Sequence, residues 1–351
     1  MELSKLNPHY LDTDIEFDKE GHKYTHVPTG RQFPISVTSL VHKAFPNDFD
    51  ANKVIEKNIV SWMCATNSKY HSLIRYLNLV KGLDHAEIKK EIKTLWEEEG
   101  REAREAGTAM HAALEDWMNS SSDLNPSYLY AVQPIEQALK TSVFGKMELK
   151  PYRTEFKVFL TEQVAHPSAP DVFYTLPILC GTIDAIFVDK LGRFWIFDWK
   201  RIDPSKKGLL GTLPPNRFAK QGNGHFIGFT QSDFRSYSLQ LVLYKLILER
   251  GGYLKKGQEV AALYLCQMHP TLENPHLVEA LSDLHIHDQE LFEQCAHVTI
   301  DDHIAECKKK EIERLTELME AETEEETPNN PALPPEEGSS GMDLDFDEIA
   351  E

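Results

Sequence analysis

The hydrophobic and polar positions divide the chain into three regimes. Up to about Val41 they alternate in short pieces. HKYTHVPTGRQFPISVTSLV carries Tyr24, Val27, Phe33, Ile35 and Val37, with a turn signal at Pro28–Gly30, and predicts short extended segments. From Asp50 to Asn119 the spacing becomes helical. In HAEIKKEIKTLWEEEGREAREA, Ile88, Ile92 and Leu95/Trp96 recur between charges such as Glu87, Lys89 and Glu91. Gly107-Thr108 opens a second helical run, TAMHAALEDWMN, and a third helix is expected over Pro134–Leu139.

Beyond that the pattern turns to β. TEFKVFL (154–160) reads as a strand. LCGTIDAIFV (179–188) and RFWIFDWK (193–200) are apolar and partly β-branched, and Asp189-Lys190-Leu191-Gly192 joins them as a hairpin. Roughly thirty residues of loop follow, rich in Gly, Pro, Lys and Arg. SYSLQLVLYKLILER (236–250) predicts a helix, EVAALYLCQM (259–268) a buried strand, and 289–321 a last helix. No internal repeat is visible. The pattern describes an α/β protein: a central mixed β-sheet flanked by helices. Residues 1–150 form an extended and helical N-terminal half, 151–321 the core, and 322–351 a disordered acidic tail.

Charge changes this picture in one respect. Acids outnumber bases 56 to 37, a net charge of −19 that argues against a nucleic-acid partner. Twelve of the acids lie between Glu320 and Glu351, where there is no Lys or Arg, which leaves −7 for residues 1–319 and room for a local basic groove. In the tail tip, GMDLDFDEIAE, acids alternate with Met342, Leu344, Phe346 and Ile349. Such a segment is a solubilising tail, a docking peptide or a cover for the protein's own groove.

No apolar run is long enough to span a membrane, and the acidic start lacks the features of a signal or transit peptide. The five cysteines, at 64, 180, 266, 295 and 307, form no CxxC pair. A cysteine-built metal site is not expected, and free thiols fit a reducing, intracellular compartment.

The candidate chemistry lies in the hairpin. In a strand, residues two apart share a face, so Asp198 and Lys200 of FDWK sit side by side, with Trp195, Phe197 and Trp199 opposite. Alone, this is a plain ion pair. Asp184 is a lone carboxylate in the apolar partner strand and comes near Asp198 across the hairpin. Buried carboxylates that approach one another repel unless a cation lies between them. A hard divalent cation takes oxygen ligands, and Lys200 could then hold an attacking water or a scissile phosphate.

GTID, a hairpin and D-x-K resemble the core of the PD-(D/E)xK nucleases, and more specifically their RecB-like branch. Gly107-Thr-Ala-Met-His111-Ala-Ala-Leu-Glu115 resembles that branch's helical His motif, and Gln240-Leu-Val-Leu-Tyr244 its Q-x-x-x-Y helix. The motifs keep the family's order over residues 107–244. The resemblance implies a restriction-endonuclease-like core and Mg²⁺ or Mn²⁺ as cofactor. Asp184 and Asp198 would be metal acids, Lys200 the catalytic lysine, His111 a further ligand, and Trp199 a ligand through its backbone carbonyl. Glu115 would orient the histidine or act through water, and Glu155 matches an acid that the family often carries on its first core strand. Gln240 and Tyr244 would support the lysine region or contact DNA.

Between Lys200 and Lys220, six basic residues, Lys200, Arg201, Lys206, Lys207, Arg217 and Lys220, face only Asp203. They form a solvated lid or a phosphate-contacting clamp, with His225, Phe226 and Phe229 placed to stack on bases. The cysteines are too dispersed for the iron–sulfur cluster of some RecB-like nucleases. The best-fitting relatives are of the mitochondrial genome maintenance exonuclease type and the phage and viral exonucleases. The resemblance thus implies a metal-dependent DNA exonuclease acting in replication, recombination or repair, with no membrane partner. The tail tip separately resembles the acidic tip of single-strand-binding proteins and could dock on a replication or single-strand-binding partner. A structure-specific endonuclease and a non-catalytic DNA-binding scaffold remain as alternatives.

Overall fold

The computed structural model describes residues 2–325 apart from 47–48, 121–124, 142 and 213–219. A short helix α1 (Leu3–Leu6) precedes a small antiparallel sheet of β1 (Ile15–Asp18), β2 (Lys23–His26) and β3 (Arg31–Gln32). Four helices follow: α2 (Val37–Ala44), α3 (Ala51–Cys64), α4 (His71–Arg75) and the long α5 (His85–Met118). After α6 (Leu129–Thr141) and α7 (Val143–Met147) come β4 (Lys150–His166), β5 (Ala169–Val188) and β6 (Phe194–Arg201). The chain continues through α8 (Pro204–Lys207), α9 (Asp233–Arg250), β7 (Val260–Met268), β8 (His276–Glu279) and α10 (Ile286–Glu325).

The main sheet has the order β4-β5-β6-β7-β8. It is antiparallel except where β6 and β7 run parallel, so the expected mixed sheet is present. β6 is buried on both faces, which accounts for its near-continuous apolar reading. Phe194 and Ile196 enter one core, with Val242, Leu246 and Phe292 from α9 and α10. Trp195, Phe197 and Trp199 enter the other, with Met110, Leu114 and Ile135 from α5 and α6. Asp198 and Lys200 therefore point toward the α9 layer. A third cluster, Ile55, Ile59, Ile74, Ile88 and Ile92, joins α3 and α4 to the first half of α5 away from the sheet.

Several local expectations change. Residues 37–44 are helical rather than extended, because Ser36 caps the segment by accepting the N–H of Ser39. Gly107 does not begin a new helix; α5 runs through it as one element of 34 residues. A glycine inside a helix costs about 1 kcal/mol, and the burial of Met110, Leu114 and Met118 beyond it offsets that. Asp84 and Glu87 start α5 with a reciprocal capping box. The third helix extends to both sides of the expected Pro134–Leu139, and the short edge strand β8 carried too little pattern to read. The last helix continues to Glu325, past its expected end at 321; of the expected tail, residues 326–351 lie outside the described residues. Among the described residues no helix is long and apolar enough to cross a membrane.

Candidate metal and active centre

The site is built where two strands part. β5 and β6 pair from Val188↔Phe194 to Ala185↔Phe197 and no further. The next residues, Asp184 and Asp198, stand at the fork. β6 stays paired to β7 as far as Arg201 while β5 stays paired to β4 past Ile183, so the sheet splits between β5 and β6. Asp184 bridges the opening: its Oδ2 accepts the backbone N–H of Trp199 at 2.8 Å.

Two further donors converge on Asp184. Its strand neighbour on the other side is β4, where Thr154 pairs with Ala185 and Phe156 with Ile183. Glu155 lies between them, opposite Asp184, and has a φ of 45°. A left-handed backbone at a non-glycine residue in a strand is strained, and such strain collects at functional sites. From above, α5 supplies His111. Its Nδ1 lies 3.7 Å from Oδ2 of Asp184 and 3.9 Å from Oε1 of Glu155. Ligand atoms of His111, Glu155 and Asp184 all lie within 4.8 Å of one another. One imidazole and two carboxylates suit a hard or borderline divalent ion.

The other imidazole nitrogen sets the tautomer. His111 Nε2 is 2.8 Å from the Trp199 carbonyl oxygen, which can only accept, so Nε2 carries the proton and Nδ1 faces the acids. The Trp199 carbonyl, expected as a metal ligand, orients the histidine with one of its two lone pairs. Burial opposes charge on His111, but the carboxylates of Asp184 and Glu155 outweigh it and hold the imidazole pKa up to about 9, so near neutral pH Nδ1 also carries a proton, which an ion bound there would displace.

Asp198, the other expected metal acid, stands beside this cluster at the fork and faces Lys200. Its side chain is 2 % exposed, and its Oδ2 lies 2.6 Å from Lys200 Nζ. The contact is one of charge, because Oδ2 lacks an aligned hydrogen bond. Burial raises the Asp198 carboxyl above its ordinary range, with Lys200 pulling the other way. Burial also works against the Lys200 ammonium, but Asp198 and Asp184 more than offset it and its pKa is raised. Lys200 Nζ lies 4.7 Å from the centre of the Tyr237 ring. Tyr237 was not singled out in the sequence, although it sits one turn before Gln240 on the same helix.

The Q-x-x-x-Y residues act behind this pair. Gln240 donates from Nε2 to the Tyr244 hydroxyl at 3.3 Å. Tyr244 is 3 % exposed and so is closed to a nucleic acid. Its ring explains the glycine of GTID, since a Cβ on Gly181 would come within 2.8 Å of Tyr244 Cε1. The tyrosine holds the start of the divergent β5 segment.

The sequence model of the PD-(D/E)XK nuclease superfamily matches residues 80–331, which include every element of this site. The chain belongs to that superfamily. None of the curated proteins compared with this nuclease matches it. A solved structure titled "Crystal structure of SSO0001" is similar at 14% identity over 76% of this chain and 74% of that one. Its TM-score of 0.24 makes the likeness too distant to argue from.

The remaining expected residues are placed as follows in the nuclease. Glu115 lies one turn beyond His111 but outside the converging donors; burial and the neighbouring Glu155 raise its carboxyl pKa. Lys207 pairs with Asp233 at 2.6 Å. Lys220 lines a cavity of about 630 Å³ with Tyr237 and Gln240. Arg201 and Lys206 line a second cavity, and Arg217 lies outside the described residues. Phe226 and Phe229 cannot stack on bases: they are 1 % and 7 % exposed and pack against Phe292. His225 pairs with Asp302 at 2.6 Å.

Proposed function

We propose that this nuclease is a metal-dependent DNA exonuclease of the RecB-like branch, working in replication, recombination or end processing. The observation that carries the reading is the convergence of His111, Glu155 and Asp184 beside the buried Lys200–Asp198 pair. Those three residues would hold Mg²⁺ or Mn²⁺. A bound ion of this kind supplies Lewis acidity at a phosphodiester and makes a water more acidic.

The chain's own groups do the rest. The Trp199 carbonyl fixes the tautomer of His111 and leaves Nδ1 as the donor. Lys200, held by Asp198 below and the Tyr237 ring beside it, presents a positive charge where negative charge develops on the phosphate. The buried partner keeps that lysine protonated. Asp184 serves both the donor set and the strand fork.

A single gel tests the reading. The purified protein is incubated with Mn²⁺ or Mg²⁺ and linear duplex, linear single-stranded and closed circular DNA. Degradation of linear DNA with circles intact is the expected result. Nicking of circles would replace it with an endonuclease of the same fold, and no cleavage under any metal would leave a DNA-binding scaffold.

A further inference from the structure

A cavity of about 790 Å³ opens at the C-terminal ends of the parallel strands β6 and β7. Arg201, Lys206, Lys207 and His269 line one side, with Asp203 the one acid among them, so that side is net basic. Glu99 and Glu102 of α5 line the other together with Arg104, which leaves that wall net acidic, and Tyr237 forms the wall toward Lys200. Tyr237 and Lys207 also line the smaller cavity with Gln240 and Lys220, so the two spaces meet at the tyrosine beside the active lysine.

Arg201 departs from the way this protein treats its other inward-facing arginines. Arg153 and Arg235 are buried, and each is paired with a carboxylate, Asp12 and Asp283 respectively. Arg201 is half-buried with no ion pair among the described residues; its Nε, like that of Arg153, is buried without a hydrogen-bond partner, but Arg153 has the Asp12 carboxylate and Arg201 has none. Its polar neighbours are the Tyr130 hydroxyl, itself without an aligned hydrogen bond, and His269. Neither brings a negative charge. A guanidinium taken partly out of water with unused donors is costly unless a ligand completes it. Its planar fork matches the oxygens of a phosphate.

The neighbours fit the same ligand. Lys206 also has no ion pair among the described residues and can add a point charge. His269 accepts from the backbone N–H of Thr271 at Nδ1, which leaves Nε2 as a donor. The acidic wall decides which phosphate. A strand running on through the cavity would carry further backbone charge against Glu99 and Glu102. A strand that ends there brings one monoester, with a charge of about −1.5 to −2 near neutral pH, onto the basic side only.

Resting on the nuclease reading above, we infer that this cavity is a receptor for the terminal phosphate of a nucleic-acid strand, with Arg201 as its principal contact. The 5′ and 3′ phosphates share this chemistry, and the test separates them.

Binding is measured by fluorescence anisotropy in EDTA with short single-stranded oligonucleotides carrying a 5′-phosphate, a 3′-phosphate or neither. The expected result is about tenfold or more tighter binding for one phosphorylated end and no gain for the other. Arg201→Gln removes that margin, and Arg201→Lys restores part of it, because charge returns without the fork. Exposed Lys206→Gln narrows the margin as well, so a fold defect in one variant does not decide the matter. Equal affinity for all three oligonucleotides, or a full margin in Arg201→Gln, overturns the inference. Cleavage with Mn²⁺ is scored separately: cleavage without the margin removes the receptor and keeps the nuclease, and the margin without cleavage does the reverse.

Discussion

Asp184 Oδ2 accepts the backbone N–H of Trp199 across strands that have stopped pairing, so the same carboxylate that serves the donor cluster also closes the sheet. These two tasks can be separated. Asp184→Asn keeps an acceptor for the N–H and removes the charge. It should fold with near wild-type stability and lose roughly hundredfold or more in cleavage. Asp184→Ala loses the acceptor too and should also cost about 1–3 kcal/mol. Denaturant titration beside a nuclease assay checks both, and cleavage near the wild-type rate in Asp184→Asn would remove the residue from the site.

Asp198 should behave differently. Its removal leaves the Lys200 ammonium buried with only the more distant Asp184 as counter-charge, so Asp198→Ala is expected to cost about 3 kcal/mol as well as activity. Asp198→Asn combined with Lys200→Met removes the orphan charge. The double variant should recover most of the stability and none of the cleavage. If the single and double variants melt alike, the ion pair does not support the fold.

His111→Ala should weaken metal affinity more than turnover. The loss of cleavage should be large in limiting Mn²⁺ and should shrink as Mn²⁺ approaches saturation, with affinity lower by about 10–100-fold. A loss of the same size at every Mn²⁺ concentration would indicate a histidine that only packs.

Glu155 holds a left-handed backbone at a cost of about 1–2 kcal/mol. Glu155→Gly relieves this and should raise stability by about 1 kcal/mol while lowering activity. Glu155→Gln keeps the strain and loses the charge, so it should lower activity without any gain in stability. Thermal melts of the pair distinguish strain from charge.

The pH dependence of stability should reflect Glu311. Its side chain is 4 % exposed and meets Arg31 at 2.6 Å and Arg314 at 2.8 Å. Burial opposes its charge, but the two guanidiniums prevail and hold the carboxyl below its free value of 4.5. A depressed acid stabilises the fold above its unfolded pKa, and the contribution fades as pH falls through the folded value. Glu311→Gln should therefore cost on the order of 1–2 kcal/mol at pH 7, a modest figure because both guanidiniums reach solvent. The gap from wild type should close as the pH falls below 4.5. A gap that persists in acid would mean that shape rather than charge is at work.

The hairpin, the D-x-K face and the His and Q-x-x-x-Y helices were legible because each rests on local periodicity. Trp195, Phe197 and Trp199 could be put on the far side of Asp198 by counting in twos. The division of labour among the acids was not legible. Whether Asp198 joins the donors or pairs with Lys200 depends on how far β5 swings from β6, and no local pattern encodes that. Glu155 could be marked only as a strand acid; the positive φ that accompanies its place opposite Asp184 comes from tertiary packing. Phe226 and Phe229 misled for the opposite reason. Beside a basic loop they read as base-stacking residues, but Phe292, far along the chain, draws both into the core.

The continuity of α5 has a mechanical consequence. Ile88 and Ile92 are clamped among α3 and α4, and His111 sits at the acids on the same unbroken rod, about 29–35 Å away at 1.5 Å per residue. The outer helices and the imidazole are two ends of one lever. A tilt of α5 by a few degrees at its outer end would swing His111 relative to Asp184 at the other.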